Sequence, residues 1–232
     1  KFILNFKNSI LVIENKTDHK FFLNKVKINK KKIYRINGAG ADLKKFNYNS
    51  KIKKKIILFP ARVLLEKGIL EFVEAAKKLA PHYKDWKFYV AGTLKYEKNE
   101  KEKTFTNVKL IEKKYKNIKF LGYVKNMQNL FNTASIVCLP SYREGFPKSL
   151  IEACASGCAV VCTDVPGCKD AIKKNFNGLF CNVKDPHDLY LKIDTLLKDK
   201  NIRYMFSKNS RKLAEQKYNI NIFVKKNLNF YS

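Results

Sequence analysis

Histidine and arginine are scarce in this chain, and long apolar runs are missing. The 232 residues include three histidines, and no two cysteines have the CxxC spacing of many metal and redox sites. No apolar run approaches the ~20 residues that span a bilayer, so the sequence predicts no transmembrane helix. Helix-turn-helix, zinc-finger and RNA-recognition signatures are also missing, which disfavours a nucleic-acid-binding function.

The positive charge of the chain comes almost entirely from lysine. Five of the 48 basic residues are arginine, and 20 residues are acidic, giving a formal net charge of +28. An excess of lysine and asparagine over arginine is typical of an A+T-rich genome, which explains part of this charge as compositional drift. The other interpretation is a preference for anionic partners, which would be phosphate-bearing ligands, an anionic membrane surface or nucleic acid. The charge alone does not separate these interpretations.

The cysteines are clustered in sequence but do not form a metal-binding pattern. All six lie between Cys138 and Cys181. Cys154, Cys158 and Cys162 are spaced four apart, but Cys162 falls on the next predicted strand and the histidines are distant in sequence. We therefore interpret the thiols as small hydrophobic core groups in a reducing compartment.

Short apolar strands alternate with helical segments after residue 50. Strands are predicted at 56–59, 86–90, 118–121, 134–139, 159–162 and 178–181. Helices are predicted from residue 67, within a charged stretch at 95–116, at 126–133, from Pro147 to Gly157, and throughout the tail after Pro186. This alternation predicts an α/β fold with a Rossmann-like, doubly wound parallel sheet.

The first 50 residues do not continue this repeat. They show a strand at 10–13, a helix after Asp18 and a strand at 33–36. Gly38 and Gly40 follow, but Leu43 stands where a dinucleotide-binding fingerprint has its third glycine. We interpret the two glycines as a turn with unusual backbone angles, and residues 1–50 as the end of a preceding, partial Rossmann-like domain with a hinge.

Polar residues and glycines follow the predicted strands at the point where each strand ends. In chain order they are Arg62 and Lys67, then Gly92, then Gly122 and Tyr123, then 143–149, then 163–167. The carboxyl ends of parallel strands meet at one edge of a sheet, and open α/β sheets bind ligands there. The sequence therefore predicts a ligand site at this edge.

The residue types at this edge suit a phosphorylated ligand. Arg62 offers a fixed fork of donors and Lys67 a mobile charge, a pair suited to a diphosphate. The alternative is that they form surface ion pairs with Glu66 or Glu144. The helix that opens at Pro147 adds N–H donors and a dipole that favour phosphate oxygens.

Two glutamates complete the predicted site. Glu152 lies about one turn into the helix, where its carboxylate could accept hydrogen bonds from ribose hydroxyls; the alternative is an ordinary solvated helix residue. Glu144 precedes Gly145, which permits close approach of the backbone to a ligand. Its carboxylate could bind sugar hydroxyls and balance positive charge that develops at an anomeric carbon.

These segments resemble the motifs of retaining glycosyltransferases of family 4. Residues 141–153 resemble the E-x7-E signature, with Glu144 and Glu152 as its glutamates. Further similar segments occur, in chain order, at 37–43, 62–68, 120–124 and 163–167. The resemblance extends from about residue 10 to residue 218. It implies the GT-B fold of two Rossmann-like domains, with this chain covering the C-terminal, donor-binding domain.

The resemblance also implies roles for individual residues. Arg62 and Lys67 would hold the donor diphosphate, Glu144 would contact the transferred sugar, and Glu152 would contact the ribose. Gly92 is a further implied donor-binding residue. The residues implied to line the base pocket are Gly122, Tyr123 and Val124. The backbone implied to bind the sugar and phosphates is that of Gly145, Phe146, Pro147, Lys148 and Ser149. No Asp-any-Asp sequence occurs, in agreement with the metal-independent chemistry, without a cofactor, that the resemblance implies.

The implied organisation has three parts. Residues 1–47 would be the end of the N-terminal acceptor domain and the hinge, residues 48–216 the nucleotide-sugar-binding domain, and residues 217–232 a C-terminal helix packing back toward the first domain. Most of the acceptor domain is missing from the sequence, so we expect the chain to be a donor-binding fragment.

The implied activity is transfer of a sugar, with retention, from a nucleotide-diphosphate sugar to a glycan or polyprenyl-diphosphate-linked acceptor. UDP is the commonest nucleotide in similar proteins. Bacterial cell-envelope polysaccharide or glycoconjugate synthesis is the expected setting, in the cytoplasm, with peripheral contact to the inner face of an anionic membrane. The alternatives are a nucleotide-sugar epimerase of the same fold and a non-enzymatic polyanion-binding protein. A glycan phosphorylase is disfavoured because no lysine-centred cofactor motif is evident.

Overall fold

The chain folds into a large parallel sheet covered by helices, preceded by a small two-stranded sheet. The structure is a computed structural model that describes residues 9–36, 38–93 and 101–228. The strands are β1 (Leu11–Ile13), β2 (Ile33–Arg35), β3 (Lys54–Phe59), β4 (Lys87–Ala91), β5 (Ile118–Gly122), β6 (Ala134–Leu139), β7 (Ala159–Thr163) and β8 (Gly178–Cys181). The helices are α1 (Lys16–Asn24), α2 (Ile69–Leu79), α3 (Lys101–Lys114), α4 (Met127–Thr133), α5 (Lys148–Ala155), α6 (Pro166–Ala171), α7 (Pro186–Lys198), α8 (Lys200–Lys217) and α9 (Ile220–Leu228).

The sheet topology confirms the predicted α/β fold. All pairings within the six-stranded sheet are parallel, in the order β5-β4-β3-β6-β7-β8. β1 and β2 pair in parallel in their own sheet. Because the chain runs outward from β3 to β5 and returns to β6 beside β3, the strand order reverses between β3 and β6. Open α/β sheets bind ligands at the carboxyl ends of the strands at such a switch point.

The central strands are buried on both faces because helices cover both sides of the sheet. In β3, Ile57 and Phe59 pack in one core cluster with residues of α2 and α7. Ile56 and Leu58, which alternate with them, pack in a second cluster with residues of α5 and α6. The strands therefore form a rigid platform that fixes where the loops at their carboxyl ends begin.

Two helices before the tail, α1 and α6, differ from the prediction. α1 begins at Lys16, earlier than predicted, because the Asn15 side chain caps it by accepting from the backbone N–H of Asp18 at 2.8 Å. α6 was not predicted, because residues 163–167 were interpreted as a loop. Pro166 occupies the first helical position, where its fixed φ is favourable and its missing N–H carries no cost.

The tail is helical, as predicted, but it consists of three helices separated by two short breaks. Asp199 separates α7 from α8, and its carboxylate caps α8 by accepting from the N–H groups of Asn201 and Ile202. A second break follows α8, where Ala41 and Asn219 form a β-bridge. α9 therefore begins beside the Gly40 turn, where a Cβ on Gly40 would lie 2.6 Å from the Cα of Ile220.

The prediction that the cysteines are core groups is confirmed. All six thiols are buried and unpaired in disulfides, and burial raises the pKa of the Cys154 thiol to about 12. Within the described ranges, no three His, Cys, Asp or Glu side chains are grouped so that they could hold a metal ion. None of the helices in those same ranges is both long and apolar enough to cross a bilayer.

Candidate functional site

Two loops meet at the switch point between β3 and β6. The Lys67 loop (residues 60–68) follows β3, and the Glu144 loop (residues 140–147) follows β6. The backbone N–H of Tyr142 donates to the carbonyl of Glu66 at 2.8 Å. Gly68 lies against Pro140, so closely that a Cβ on it would overlap the Pro140 carbonyl and lie 2.7 Å from its carbon. This packing fixes the ends of the two loops against each other.

The two loops carry an ion pair between residues predicted to bind the ligand. Lys67 Nζ lies 2.8 Å from Glu144 Oε1, and the two side chains are 20% and 12% exposed. The pairing of Lys67 with Glu144, which we considered as an alternative from the sequence, is therefore present, but it is not a surface contact. Arg62 is exposed, and no ion pair joins it to another described residue. A positive and a negative group thus stand together at the switch point, with a second cation nearby in sequence.

Gly92, at the end of β4, lies against the Lys67 loop. A Cβ on Gly92 would overlap the carbonyl of Ala61 and lie 3.0 Å from the Cα of Arg62. The packing of the backbone therefore explains why position 92 is a glycine, whether or not it binds a donor as predicted. A glycine there lets the backbone that carries Arg62 pass close to the end of β4.

The Glu144 loop leads into the N-terminus of α5. Pro147 precedes the helix in extended conformation, and the N–H of Leu150 donates to its carbonyl at 3.0 Å. Lys148 is exposed and Ser149 is half-buried, so both can meet a ligand. The Phe146 side chain is buried and packs at 6.0 Å between ring centroids against Tyr218. A ligand at this edge can therefore reach only the backbone of Phe146, and the prediction for residues 145–149 concerns the backbone.

Glu152 lies on the first turns of α5, as predicted. Its side chain is 15% exposed, and the Nζ of Lys148, one turn earlier, lies 3.7 Å from its carboxylate. Burial raises the pKa of the Glu152 carboxyl above its ordinary value, and Lys148 opposes part of that shift. Glu152 is therefore not a freely solvated helix residue, and its carboxylate can accept hydrogen bonds from a ligand that displaces the remaining water.

The loop after β5 is open. Gly122 has a φ of 63°, and among the described residues other than its two chain neighbours none places a heavy atom within 4 Å of a Cβ added to it. Tyr123 is 77% exposed, and Val124 is half-buried against the core. In the described part of the chain, no hydrogen bond or ion pair joins Tyr123 to Lys67 or Glu144. The three residues predicted to line the base pocket thus lie at the carboxyl end of β5.

Two supporting interactions at the site were not predicted from the sequence. The Tyr142 hydroxyl donates to Glu71 Oε1 at 2.8 Å, and burial together with this carboxylate raises the pKa of Tyr142 to about 12. Asn15, which precedes α1, donates from Nδ2 to the carbonyl of Gly145 at 3.2 Å. Asn15 followed by Asp18 is a visible helix-cap pattern, but no local signal predicts contacts across 71 or 130 residues.

The sequence matches one family over most of its length. The profile of the family described as "Glycosyl transferases group 1" matches residues 41–213. An alpha-1,3-N-acetylgalactosaminyltransferase of Campylobacter jejuni, named for N,N'-diacetylbacillosaminyl-diphospho-undecaprenol, is 32% identical over 248 positions, covering 97% of this chain and 63% of that protein. An alpha-1,4-N-acetyl-D-galactosaminyltransferase of the same species, also named for a PP-undecaprenol-linked saccharide, is 31% identical and covers 68% of this chain and 43% of that protein. The chain thus spans less than two thirds of each of these relatives.

Solved structures share the fold. HepE from Anabaena in complex with UDP superimposes with a TM-score of 0.82 at 16% identity, covering 95% of this chain and 63% of that one. The C-terminal domain of LpcC, a glycosyl transferase group 1 protein from Francisella tularensis, has a TM-score of 0.69 at 29% identity, covering 78% of this chain and all of that domain. These likenesses confirm the predicted GT-B type of fold. The family match, the relatives and the fold agree, and the chain belongs to the group 1 glycosyl transferases.

Proposed function

We propose that this chain supplies the donor-binding site of a retaining glycosyltransferase. The donor is a UDP-sugar, and the acceptor is a saccharide carried on a polyprenyl diphosphate. One observation carries the proposal: Lys67 and Glu144 meet at 2.8 Å at the switch point of the sheet, beside the N-terminus of α5. This arrangement combines a cation, a carboxylate and a helix dipole at the edge where α/β folds bind nucleotides.

The positive groups of the site suit a leaving diphosphate. Lys67 and Arg62 follow β3, and the first N–H groups of α5 are the donors that an α-helix leaves without intrahelical partners. Preformed charges and donors stabilise negative charge that develops as a sugar–phosphate bond breaks. We propose that these groups do so without a metal ion or cofactor.

The two glutamates bind different parts of the rest of the donor. Glu152, largely buried on α5, accepts hydrogen bonds from the ribose. Glu144, held by Lys67, contacts the transferred sugar, and its charge balances positive charge at the anomeric carbon. The resemblance to retaining enzymes of family 4 is the support for these assignments and for retention. The short distance between Lys67 and Glu144 supports a sugar that lies next to the diphosphate.

The relatives support the choice of donor and acceptor. Both Campylobacter relatives are named for transfer to undecaprenyl-diphosphate-linked saccharides, and HepE was solved with UDP and with UDP-glucose. We propose on this basis that the protein works in bacterial cell-envelope or glycoconjugate synthesis, at the inner face of the cytoplasmic membrane, where its +28 charge favours anionic lipid. Because these relatives are named as glycosyltransferases, transfer is favoured over epimerisation or polyanion binding.

The first test is calorimetric titration of the chain with UDP, GDP and ADP at moderate salt. We expect saturable binding of UDP with a preference over the other two, because the relatives above associate this fold with UDP. A tight, strongly salt-dependent response to all three alike, and to DNA, would instead indicate a non-specific polyanion surface. Failure to bind any nucleotide would contradict the proposal for this chain.

Replacing Glu152 with glutamine is expected to weaken UDP binding about 10-fold or more, because a charged acceptor for the ribose hydroxyls is lost. The interaction needs the ionised carboxylate. Since burial raises the pKa of Glu152, the affinity of the parent should fall as the pH is lowered through that raised pKa, above the range where an ordinary carboxyl titrates. A UDP-sugar is the right probe because its phosphates stay ionised throughout this range.

The pH dependence distinguishes a ribose contact from a loss of folding. In Glu152→Gln the affinity should be lower at neutral pH and flat over the same acidic range. Glu215→Gln is the matched control, since Glu215 is a glutamate on α8 that pairs with Arg211 away from the switch point. An unchanged affinity and an unchanged pH profile in Glu152→Gln would remove Glu152 from the site.

A further inference from the structure

The turn that begins α1 contacts the Glu144 loop directly. Asn15 is 1% exposed, and its Nδ2 lies 3.2 Å from the carbonyl oxygen of Gly145. The Oε2 of its neighbour Glu14 lies 2.7 Å from the position that a Cβ on Gly145 would occupy. Two consecutive residues of the small N-terminal unit therefore border one glycine of the proposed donor site.

The Asn15 side chain is held by a complete set of hydrogen bonds. Its Oδ1 accepts from the N–H of Asp18 at 2.8 Å, and its Nδ2 also donates to the Asp18 carboxylate at 2.8 Å. A buried amide with its donors and acceptor paired has one favoured orientation. Asn15 can therefore fix the position of the Gly145 carbonyl.

The Glu144 loop also contacts α6. A Cβ on Gly167 would overlap the carbonyl of Gly145 and lie 2.6 Å from the carbonyl oxygen of Glu144. Asp170, on the same helix, accepts from the N–H of Lys16 at 2.6 Å. The start of α1 is thus tied to α6, and both helices contact the backbone at Gly145.

We propose that Asn15 is a positioning residue for sugar recognition. It holds the Gly145 carbonyl so that the backbone at Gly145 and the Glu144 carboxylate stay oriented toward the transferred sugar. The proposal rests on the proposed function and adds to it a contribution from the N-terminal unit. It concerns the sugar part of the donor, since Asn15 contacts neither the Lys67 loop nor Glu152 among the described hydrogen bonds.

The test separates loop positioning from helix capping. Asn15→Ser keeps an oxygen that can cap α1, because serine and asparagine are similarly favoured at this position, but its shorter side chain cannot reach Gly145. Asn15→Ala loses both interactions. Asn29→Ala is the control, because Asn29 in the same unit also caps a turn, accepting from Lys31 N–H at 2.9 Å, without contacting the Glu144 loop.

Two measurements are made on the full chain and each variant. The first is amide hydrogen exchange of the segment 143–149 without ligand, which should be about fivefold faster in Asn15→Ser and Asn15→Ala, as expected for one lost hydrogen bond. The second is the ratio of the Kd of UDP to the Kd of the tightest-binding sugar among UDP-N-acetylgalactosamine, UDP-N-acetylglucosamine and UDP-glucose. This ratio should fall about fivefold in both variants, with the Kd of UDP unchanged. Asn29→Ala should match the parent in both.

Each other outcome has a definite meaning. Parent-like exchange in Asn15→Ser would overturn the positioning role while leaving the proposed function intact if UDP still binds. Faster exchange with an unchanged Kd ratio would overturn the link to the sugar. If Asn15→Ser matches the parent and only Asn15→Ala is affected, Asn15 is a helix cap alone. If the parent binds no nucleotide, the proposed function fails, and with it the role in sugar recognition, whereas the exchange measurement still reports whether Asn15 holds the loop.

Discussion

UDP binding is expected to weaken about 100-fold when Lys67 is replaced by methionine. Methionine keeps much of the volume and removes the charge that we propose binds the diphosphate. It also leaves Glu144, whose side chain is 12% exposed, without its partner. An unpaired carboxylate in a poorly solvated site repels an incoming diphosphate, so the loss exceeds that of a single hydrogen bond. Calorimetric titration with UDP measures the change.

A double variant separates the two contributions of Lys67. Lys67→Met combined with Glu144→Gln removes the unpaired charge, so it should bind UDP about 10-fold more tightly than Lys67→Met alone. Lys77→Met is the control, since Lys77 pairs with Glu74 at 2.7 Å on the exposed side of α2, and it should leave UDP binding unchanged. If Lys67→Met binds UDP as the parent does, Lys67 serves only to hold Glu144, and the diphosphate lies elsewhere.

Replacing Gly68 with alanine is expected to destabilise the fold by about 3–5 kcal/mol. Gly68 has a φ of 77°, a left-handed conformation that costs an alanine about 1–2 kcal/mol. The added Cβ would also overlap the carbonyl of Pro140, which ends the central strand β6 and cannot shift without disturbing the sheet. The free energy of unfolding in urea measures this cost.

Gly122→Ala provides a matched comparison for the steric part of the effect. Gly122 has a similar φ of 63°, but a Cβ placed there would have no heavy atom within 4 Å from the described part of the chain, its two chain neighbours apart. It should therefore cost only the backbone contribution of about 1–2 kcal/mol. Equal destabilisation by the two substitutions would mean that the two loops at the switch point are not packed as closely as the contact between Gly68 and Pro140 indicates.

The central strands and most helices were predictable because their signals are local. β6 and β7 are short apolar runs ended by a proline or a polar residue, and the apolar spacing of α2 has the helical period. Gly157 was predicted to end the helix that begins after Pro147, and it lies two residues after the end of α5. Its φ is 63°, and its N–H donates to the carbonyl of Cys154. The short α6 was missed because it follows β7 after two residues and begins at a proline, which is also typical of a loop. The break at Asp199 was missed because a capping side chain outweighs a continuous helical composition there.

The alignment of the site residues at one edge was also predictable, because parallel strands carry their carboxyl ends to the same edge. The direction in which each side chain points was not predictable from the sequence. Phe146 lies between Gly145 and Pro147 of the site in sequence, yet its ring turns into the core against Tyr218. Nothing in the local sequence separates a ring that faces a ligand from one that fills a cavity beside a helix 70 residues later in the chain.

The fold class, the carboxyl edge of the sheet and the residue types available there follow from the sequence alone, because periodicity and strand ends are properties of neighbouring residues. The tertiary structure sets the strand order, and with it the switch point, as well as the pairing of these residues. It brought Lys67 to Glu144 across 77 residues and Asn15 to Gly145 across 130. Such contacts depend on the packing of whole elements, in which glycines at 68 and 167 permit backbones to touch, and no local pattern encodes which distant group will meet them.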